Sequence, residues 1–457
     1  MIRTALACLA LVAMAACAAP PGDPASRRDA TVSQLPPMKV FTTPRVTQPT
    51  RSNASIADDF LNLSFVLESG RTLPVFTRFE GPVTVRVTGS APASLFRDLD
   101  RLIGRLRQEA DIDISRVRPD ADASITIDMI PRRDLQRAVP QAACFVVPRV
   151  DTWQSFRRNR RSAMTDWTTL KVREKMAVFI PADVSPQEVR DCLHEELAQA
   201  LGPLNDMYSL TDSVFNDDNF HTVLTGFDML ILRATYDDAL QSGMDRNTVA
   251  ARLPAILNRL NPRGAGVRTA PRAATPRIWI DQVETALTAR IPTARRATAA
   301  KNAVTIARAG NWNDNRLAFS LFALGRLSLG REPELALASF LQAGSIYGAN
   351  PETRIHAAHI AMQLAAFAMS SGQPDIAIEI VDFHVDTVRD AENAALLATL
   401  LLVKAGALDA MGKTAAAARV RRESLGWARY GFGSDAEVRS RVAEIAALIP
   451  RRREGAS

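Results

Sequence analysis

Apolar positions change texture twice along this chain. Between residues 75 and 180 they gather in short β-rich runs, at 75–79, 83–87, 124–129, 145–147 and 177–180, with one amphipathic helical stretch at 95–108. Strands and helices mixed in that order predict an α/β layer, an α+β domain built on a mixed sheet. Beyond Arg263 the pattern becomes Ala- and Leu-rich helix with few β-formers. Three segments there read as helix hairpins: 312–329 with 333–347, 354–369 with 374–388, and 391–411 with 414–429. Their turns carry Gly330, Gly372 and Gly412, a spacing of about forty residues that suits an all-α stack of helix pairs. A closing helix over 435–448 would cap it.

One helix is unusually well punctuated. Ser185 is placed to cap it, Pro186 occupies its first position, and Glu188 completes an S-x-x-E box. Gly202 ends it and Pro203 blocks its continuation. Val189, Leu193, Leu197 and Ala200 form the apolar stripe, while Cys192, Glu195 and Gln199 share an adjacent face.

Composition adds an address. Arg3 followed by the apolar run 5–16 is an export signal too short to span a bilayer. It ends Met14-Ala15-Ala16-Cys17, similar to the bacterial lipobox, which implies lipidation of Cys17 and, with Ala18 following, anchoring at an outer membrane. Residues 1–17 are thus read as signal and 18–55, rich in Pro, Ser, Thr and Arg, as a disordered tether. The body is divided into a first domain at 56–265, connecting helices or linker at 266–310, helical repeats at 311–450 and a basic tail at 451–457. Besides Cys17, the exported chain keeps Cys144 and Cys192, an even pair that reads as a disulfide; two unrelated buried thiols are the alternative. The formal charge is +7, carried mostly by Arg, with dense spots at 157–161 and 451–453. No recognition helix or base-stacking pattern accompanies them, so solvated faces are expected and nucleic acid is not. The run Ala407 to Thr414 satisfies a relaxed phosphate-loop spelling, but its Gly412 is a hairpin turn between helices, and no nucleotide site is expected.

Residues 195–205, Glu195-Glu196-Leu197-Ala198-Gln199-Ala200-Leu201-Gly202-Pro203-Leu204-Asn205, keep the frame H-E-x-x-H-x-x-G-x-x-H while lacking its three histidines. Ser213-Val214-Phe215 follows where such proteins place a Met-turn, and Leu224-Thr225-Gly226-Phe227-Asp228 opens a closing run. Together with Asn205-Asp206 and Phe215-Asn216-Asp217-Asp218, these elements resemble metzincin and matrixin-like zinc peptidases, and a bacterial lipoprotein domain family of unknown function related to them. The resemblance implies a zincin-like domain over about 56–265, with a helix beneath a sheet-walled groove. The helical pairs Ala336 with Phe340 and Ala377 with Val381 resemble the second helices of tetratricopeptide repeats.

Catalytic zinc takes three ligands, usually imidazoles, and a water whose proton a neighbouring Glu accepts. Here the three slots hold Glu195, Gln199 and Asn205, with Asp206 adjacent. Oxygen donors of this kind favour Ca, Mg or Mn over zinc. The expectation is therefore a pseudo-peptidase with no cofactor, acting as a lipid-anchored envelope scaffold that binds another envelope protein or a peptide through its cleft and its helical repeats. The alternative is a working hydrolase with Glu196 as general base and a divalent metal at Glu195, Gln199 and Asn205 or Asp206. A His194–His221 pair with Glu195 or Asp206 is a third arrangement. His356 and His359 are read as packing or surface residues.

Overall fold

The computed structural model describes residues 35–42, 46–268 and 273–447. The expected signal with Cys17, residues 18–34 of the tether and the tail at 451–457 lie outside the described residues.

The first domain runs α1 (Asn53–Phe65), β1 (Val83–Gly89), α2 (Ala93–Glu109), β2 (Ile114–Arg116), β3 (Ile125–Ile130), α3 (Arg132–Ala138), β4 (Phe145–Pro148), α4 (Trp153–Asn159), β5 (Met176–Pro181), α5 (Pro186–Leu201), α6 (Gly226–Thr235) and α7 (Arg246–Leu260). The five strands make one mixed sheet in the order β2-β1-β3-β5-β4, parallel throughout except for the antiparallel edge strand β4. Every residue of β5 is buried, as expected of a strand covered on both faces. On one face α2 and α5 close a large core around Val85, Ile127, Val178, Leu193 and Leu197. On the other, α3 and α4 cover a smaller core of Leu135, Phe156, Ala177 and Phe179, into which Trp153 packs.

Four of the five expected runs are strands. Residues 75–79 are not: Phe76 exchanges backbone hydrogen bonds with Met244 and Gly243, so this apolar run is docked on a loop rather than laid in the sheet. The three-residue β2 is too short to have shown a period. The tether expectation also needs correction where the chain is described. The Lys39 amide donates to the Gly426 carbonyl at 2.9 Å, and Phe41 stacks on Trp427. Arg51, 5% exposed, is paired with Asp59 and Asp212. Residues 37–42 and 46–52 therefore belong to the folded body, and the first helix starts at Asn53, capped by Ser52.

The rest is helical: α8 (Arg277–Leu287), α9 (Thr293–Ala309), α10 (Asn315–Ser328), α11 (Pro333–Gly348), α12 (Arg354–Ser370), α13 (Pro374–Asp390), α14 (Ala394–Ala410), α15 (Thr414–Gly431) and α16 (Asp435–Ala446). Consecutive helices pack in pairs, and first helices start at Arg277, Asn315, Arg354 and Ala394, a unit of about 39 residues. The stretch 266–310, expected as connecting helices or linker, supplies the pair α8/α9, with Trp279 fully buried and donating to Ser320. Gly372 and Gly412 sit at positive φ (73° and 76°) at the hairpin turns, a conformation that side chains with a Cβ resist. No helix among the described residues is long and apolar enough to cross a membrane.

The first helices α10 and α14 are buried around almost their whole circumference because the first domain covers them. Phe220 inserts among Phe319, Phe322, Tyr347, His356 and His359. Asp218 and His356, both buried, pair at 3.1 Å. Arg101 forks onto Glu392, whose carbonyl accepts from Arg190 at 2.9 Å. One side of the helical stack is thus occupied, in large part, by the chain's own first domain.

Candidate functional site

Helix α5 positions the candidate residues, and its ends are held firmly. Ser185 Oγ accepts from the Glu188 amide at 3.1 Å, and Pro186 takes the first turn, as the sequence predicts. At the other end the orphan carbonyls are met by Arg173, which donates to Ala200 O at 2.7 Å and also to Gln199 O and Gly202 O. This arginine is 2% exposed and packs on the Trp167 ring. Burial lowers its pKa to about 10, so it stays charged, and its cation completes the negative end of the helix dipole. Nothing in the local sequence marks Arg173, because the carbonyls of α5 lie 26 and more residues on and its other partner, Thr77, 96 residues back.

Cys144 and Cys192 are bonded, with Cα atoms 6.0 Å apart. The bridge ties the start of edge strand β4 to the middle of α5, one turn before Glu196. The downstream elements are fastened to one another. Thr225 and Asp228 form a capping box on α6, and the fully buried Asp228 also accepts from Ser213 Oγ and, at 3.2 Å, from the Val214 amide. Burial lifts Asp228 to about 6. Asn216 and Asp218 build the next turn between themselves, leaving Asp217 beside Glu68, Glu284 and Arg277.

The five candidate side chains do not act as one set. Asn205 Nδ2 donates to the Asn62 carbonyl of α1 at 3.3 Å, and Gln199 Nε2 donates to Asp206 Oδ2 at 3.3 Å. Glu196, 4% exposed, lies against the Val146 backbone amide of β4, and its Oε2 has no hydrogen-bond partner. Asp206 Oδ1 is likewise buried without one. Around them are two carboxyls that sequence reasoning missed as site residues, Glu68, hydrogen-bonded to Asp206, and Asp217. Burial, then the charges of Asp217, Glu68 and Asp191, lifts Glu195 to about 8. Burial, then Glu195 and Glu68, holds Glu196 well above the usual carboxylate range. The same causes raise Asp206, and Asp217 is lifted to about 7.

Beside this cluster opens a cleft of about 620 Å³ between α1, the loop after α5 and the start of the helical region. Asn205, Asp206, Met207 and Tyr208 line one wall, and Asp58, Asn62 and Glu68 another. Among the described residues, no three His, Cys, Asp or Glu side chains are grouped at a spacing that holds a metal ion. With Asn205 turned to α1 and no imidazole present, the motif slots do not fit zinc. His194 and His221 are not a ligand pair either. His194 Nδ1 accepts from the Leu224 amide at 3.0 Å, His221 Nε2 contacts Thr211 O, and burial keeps both neutral, His221 at about 4.

Residues 53–255 match the model of a family described as a protein of unknown function (DUF2927). No curated protein and no solved structure matches the chain. The fold and site thus define a domain of unknown function on a small mixed sheet, disulfide-bonded between β4 and α5, followed by a helical repeat-like region.

Proposed function

We propose that this is a lipid-anchored envelope protein whose first domain is a zincin-like pseudo-peptidase, its cleft serving to bind a protein or peptide partner rather than to cut one. One observation carries the reading. The slots that would hold a catalytic metal are spent inside the fold, Asn205 on Asn62 and Gln199 on Asp206, while a cleft stays open beside them. The zincin-like ancestry is supported by the motif helix following β5 under a mixed sheet whose antiparallel edge strand β4 faces Glu196. Tetratricopeptide-type repeats are supported by Ala336 and Ala377, both fully buried with Phe340 and Val381 one turn on.

The hydrolase reading is weaker on electrostatic grounds. A general base must be ionised at working pH, whereas Glu196 is buried among carboxyls that favour its protonated form. The test is direct. Purified mature protein should leave a broad fluorogenic peptide library intact, while a photo-crosslinking residue at Met207 or Ala274 in the cleft should trap one discrete envelope adduct in cells. One at Arg118, exposed and outside the cleft, should not. Turnover abolished by Glu196→Gln without loss of folding would reverse the reading. For the anchor, Cys17→Ser should move the protein from the membrane to the soluble envelope fraction.

A further inference from the structure

The first domain covers one side of the helical stack, and another side carries a groove of its own. We propose that this groove, formed by α11, α12 and α13, is a docking site for a basic amphipathic helix of a partner protein. It is separate from the cleft beside Asp206 and does not depend on what that cleft binds.

Packing creates the groove. Helix α12 packs on both α11 and α13 and sends His356 against Phe220 of the first domain. Its Ala357, Ala361 and Leu364, a row at i, i+4 and i+7, line the groove instead. The cavity measures about 1040 Å³, and every residue lining it lies between 341 and 387, so the first domain contributes nothing to it. Its walls are apolar side chains that the fold leaves in water. Leu341 of α11 is 55% exposed, and Ile376 and Phe383 of α13 are 41% and 79% exposed. Single apolar residues on a surface need no explanation, but three lining one groove mark an interaction surface. Gly348 of α11 keeps the groove open, since a Cβ there would meet nothing within 4 Å. Along α13, Ile376, Ile380 and Phe383 follow at i, i+4 and i+7, and Thr387 closes the row over a rise of about 16 Å. Three turns of apolar anchors are what a helix lying in a groove requires.

Charge decides which kind of helix. Asp375, Glu379, Asp382 and Asp386 each stand one position before a member of that row, and all four are exposed. The stretch 375–386 holds no Lys or Arg, in a chain whose formal charge is +7. Among the described residues only Asp382 of the four has a cationic partner, Lys404. A second copy of this chain would set the same acidic line against itself across a two-fold interface. A partner helix with Lys or Arg along the edge facing α13 fits better, its other edge lying toward the exposed Arg354 of α12. The apolar anchors would supply the affinity and the charged edge the choice of partner.

The experiment uses mature protein and a fluorescent fifteen-residue helical peptide with Leu at i, i+4, i+7 and i+11 and Lys beside each Leu. Its companion carries Glu in place of every Lys. By anisotropy, the Lys probe should bind saturably and at least tenfold more tightly than the Glu probe, a gap that narrows as salt is added. Phe383→Ala should weaken the Lys probe at least tenfold while leaving the unfolding midpoint unchanged, because that ring is already in water. Glu379→Lys combined with Asp386→Lys should reverse the order of the two probes. Equal binding of the probes, no saturable binding of the Lys probe, or an affinity untouched by Phe383→Ala would overturn the proposal. So would a dimer of the mature protein that sedimentation shows Phe383→Ala to dissociate, since the groove would then belong to a second copy. None of these outcomes bears on the adduct expected from Met207, so the two surfaces are tested apart.

Discussion

Arg173 shows how one side chain can hold a site it does not touch chemically. It is buried, charged and committed to three carbonyls at the end of α5. Removing it leaves those acceptors unmet inside the protein, so Arg173→Ala should cost about 3 kcal/mol, read as a shift in the urea midpoint, while Arg173→Lys should recover part of that loss. The carboxyl cluster makes a different residue-scale prediction. Glu195, Glu196, Asp206 and Asp217 all bind protons more tightly when folded than when unfolded. A raised acid favours the native state at low pH, and this contribution disappears as pH climbs through the folded values of about 7 and 8 for Asp217 and Glu195. Urea midpoints should therefore fall between pH 5 and pH 9. Glu195→Gln should flatten that slope, and an unchanged slope would show that Glu195 titrates normally.

At the scale of elements, the disulfide fastens β4 to α5 across a sequence separation of 48 residues. Replacing both cysteines by serine should cost roughly 4 kcal/mol in the chain-entropy model, and hydrogen exchange should speed first in β4, an edge strand with one neighbour. Gly226 tests the docking of the N-terminal segment. A Cβ there would stand 1.7 Å from the Thr47 carbonyl, so Gly226→Ala should release residues 46–52 to limited proteolysis while α6 remains folded. The elements that were legible in the sequence are those with local causes. Four strands, α2 and the capped α5 carry their own period or punctuation, and the three hairpins turn where Gly330, Gly372 and Gly412 mark them. What was not legible depends on distant partners. Residues 75–79 look like a strand yet pair with a loop, and the segment before Asn53 looks like a tether yet finds Trp427 and Asp212. The candidate site divides the same way. Glu195, Glu196, Gln199, Asn205 and Asp206 were visible as a spacing, but only the fold brings Glu68 and Asp217 to them and turns Asn205 away.

At the scale of the whole molecule, the first domain and the helical stack share a junction of buried charge and aromatic rings. Glu392, 5% exposed, answers both Arg101 and Arg190. Glu392→Ala would leave Arg101 only the Phe41 carbonyl and Arg190 only Asp191, Thr222 and a backbone carbonyl, and a loss of about 3 kcal/mol is expected, seen by calorimetry as two separate unfolding transitions where the native protein shows one. The same junction gives the repeats an internal role: they hold the loop that carries Asp206 and Asp217 against the cleft. In the proposed function the motif positions serve the fold and the cleft binds its partner without a metal centre. Elemental analysis of mature protein purified without chelator tests this most directly. Far less than one equivalent of any divalent metal per chain is expected. One full equivalent of zinc, lost in the Gln199→Ala variant, would contradict it.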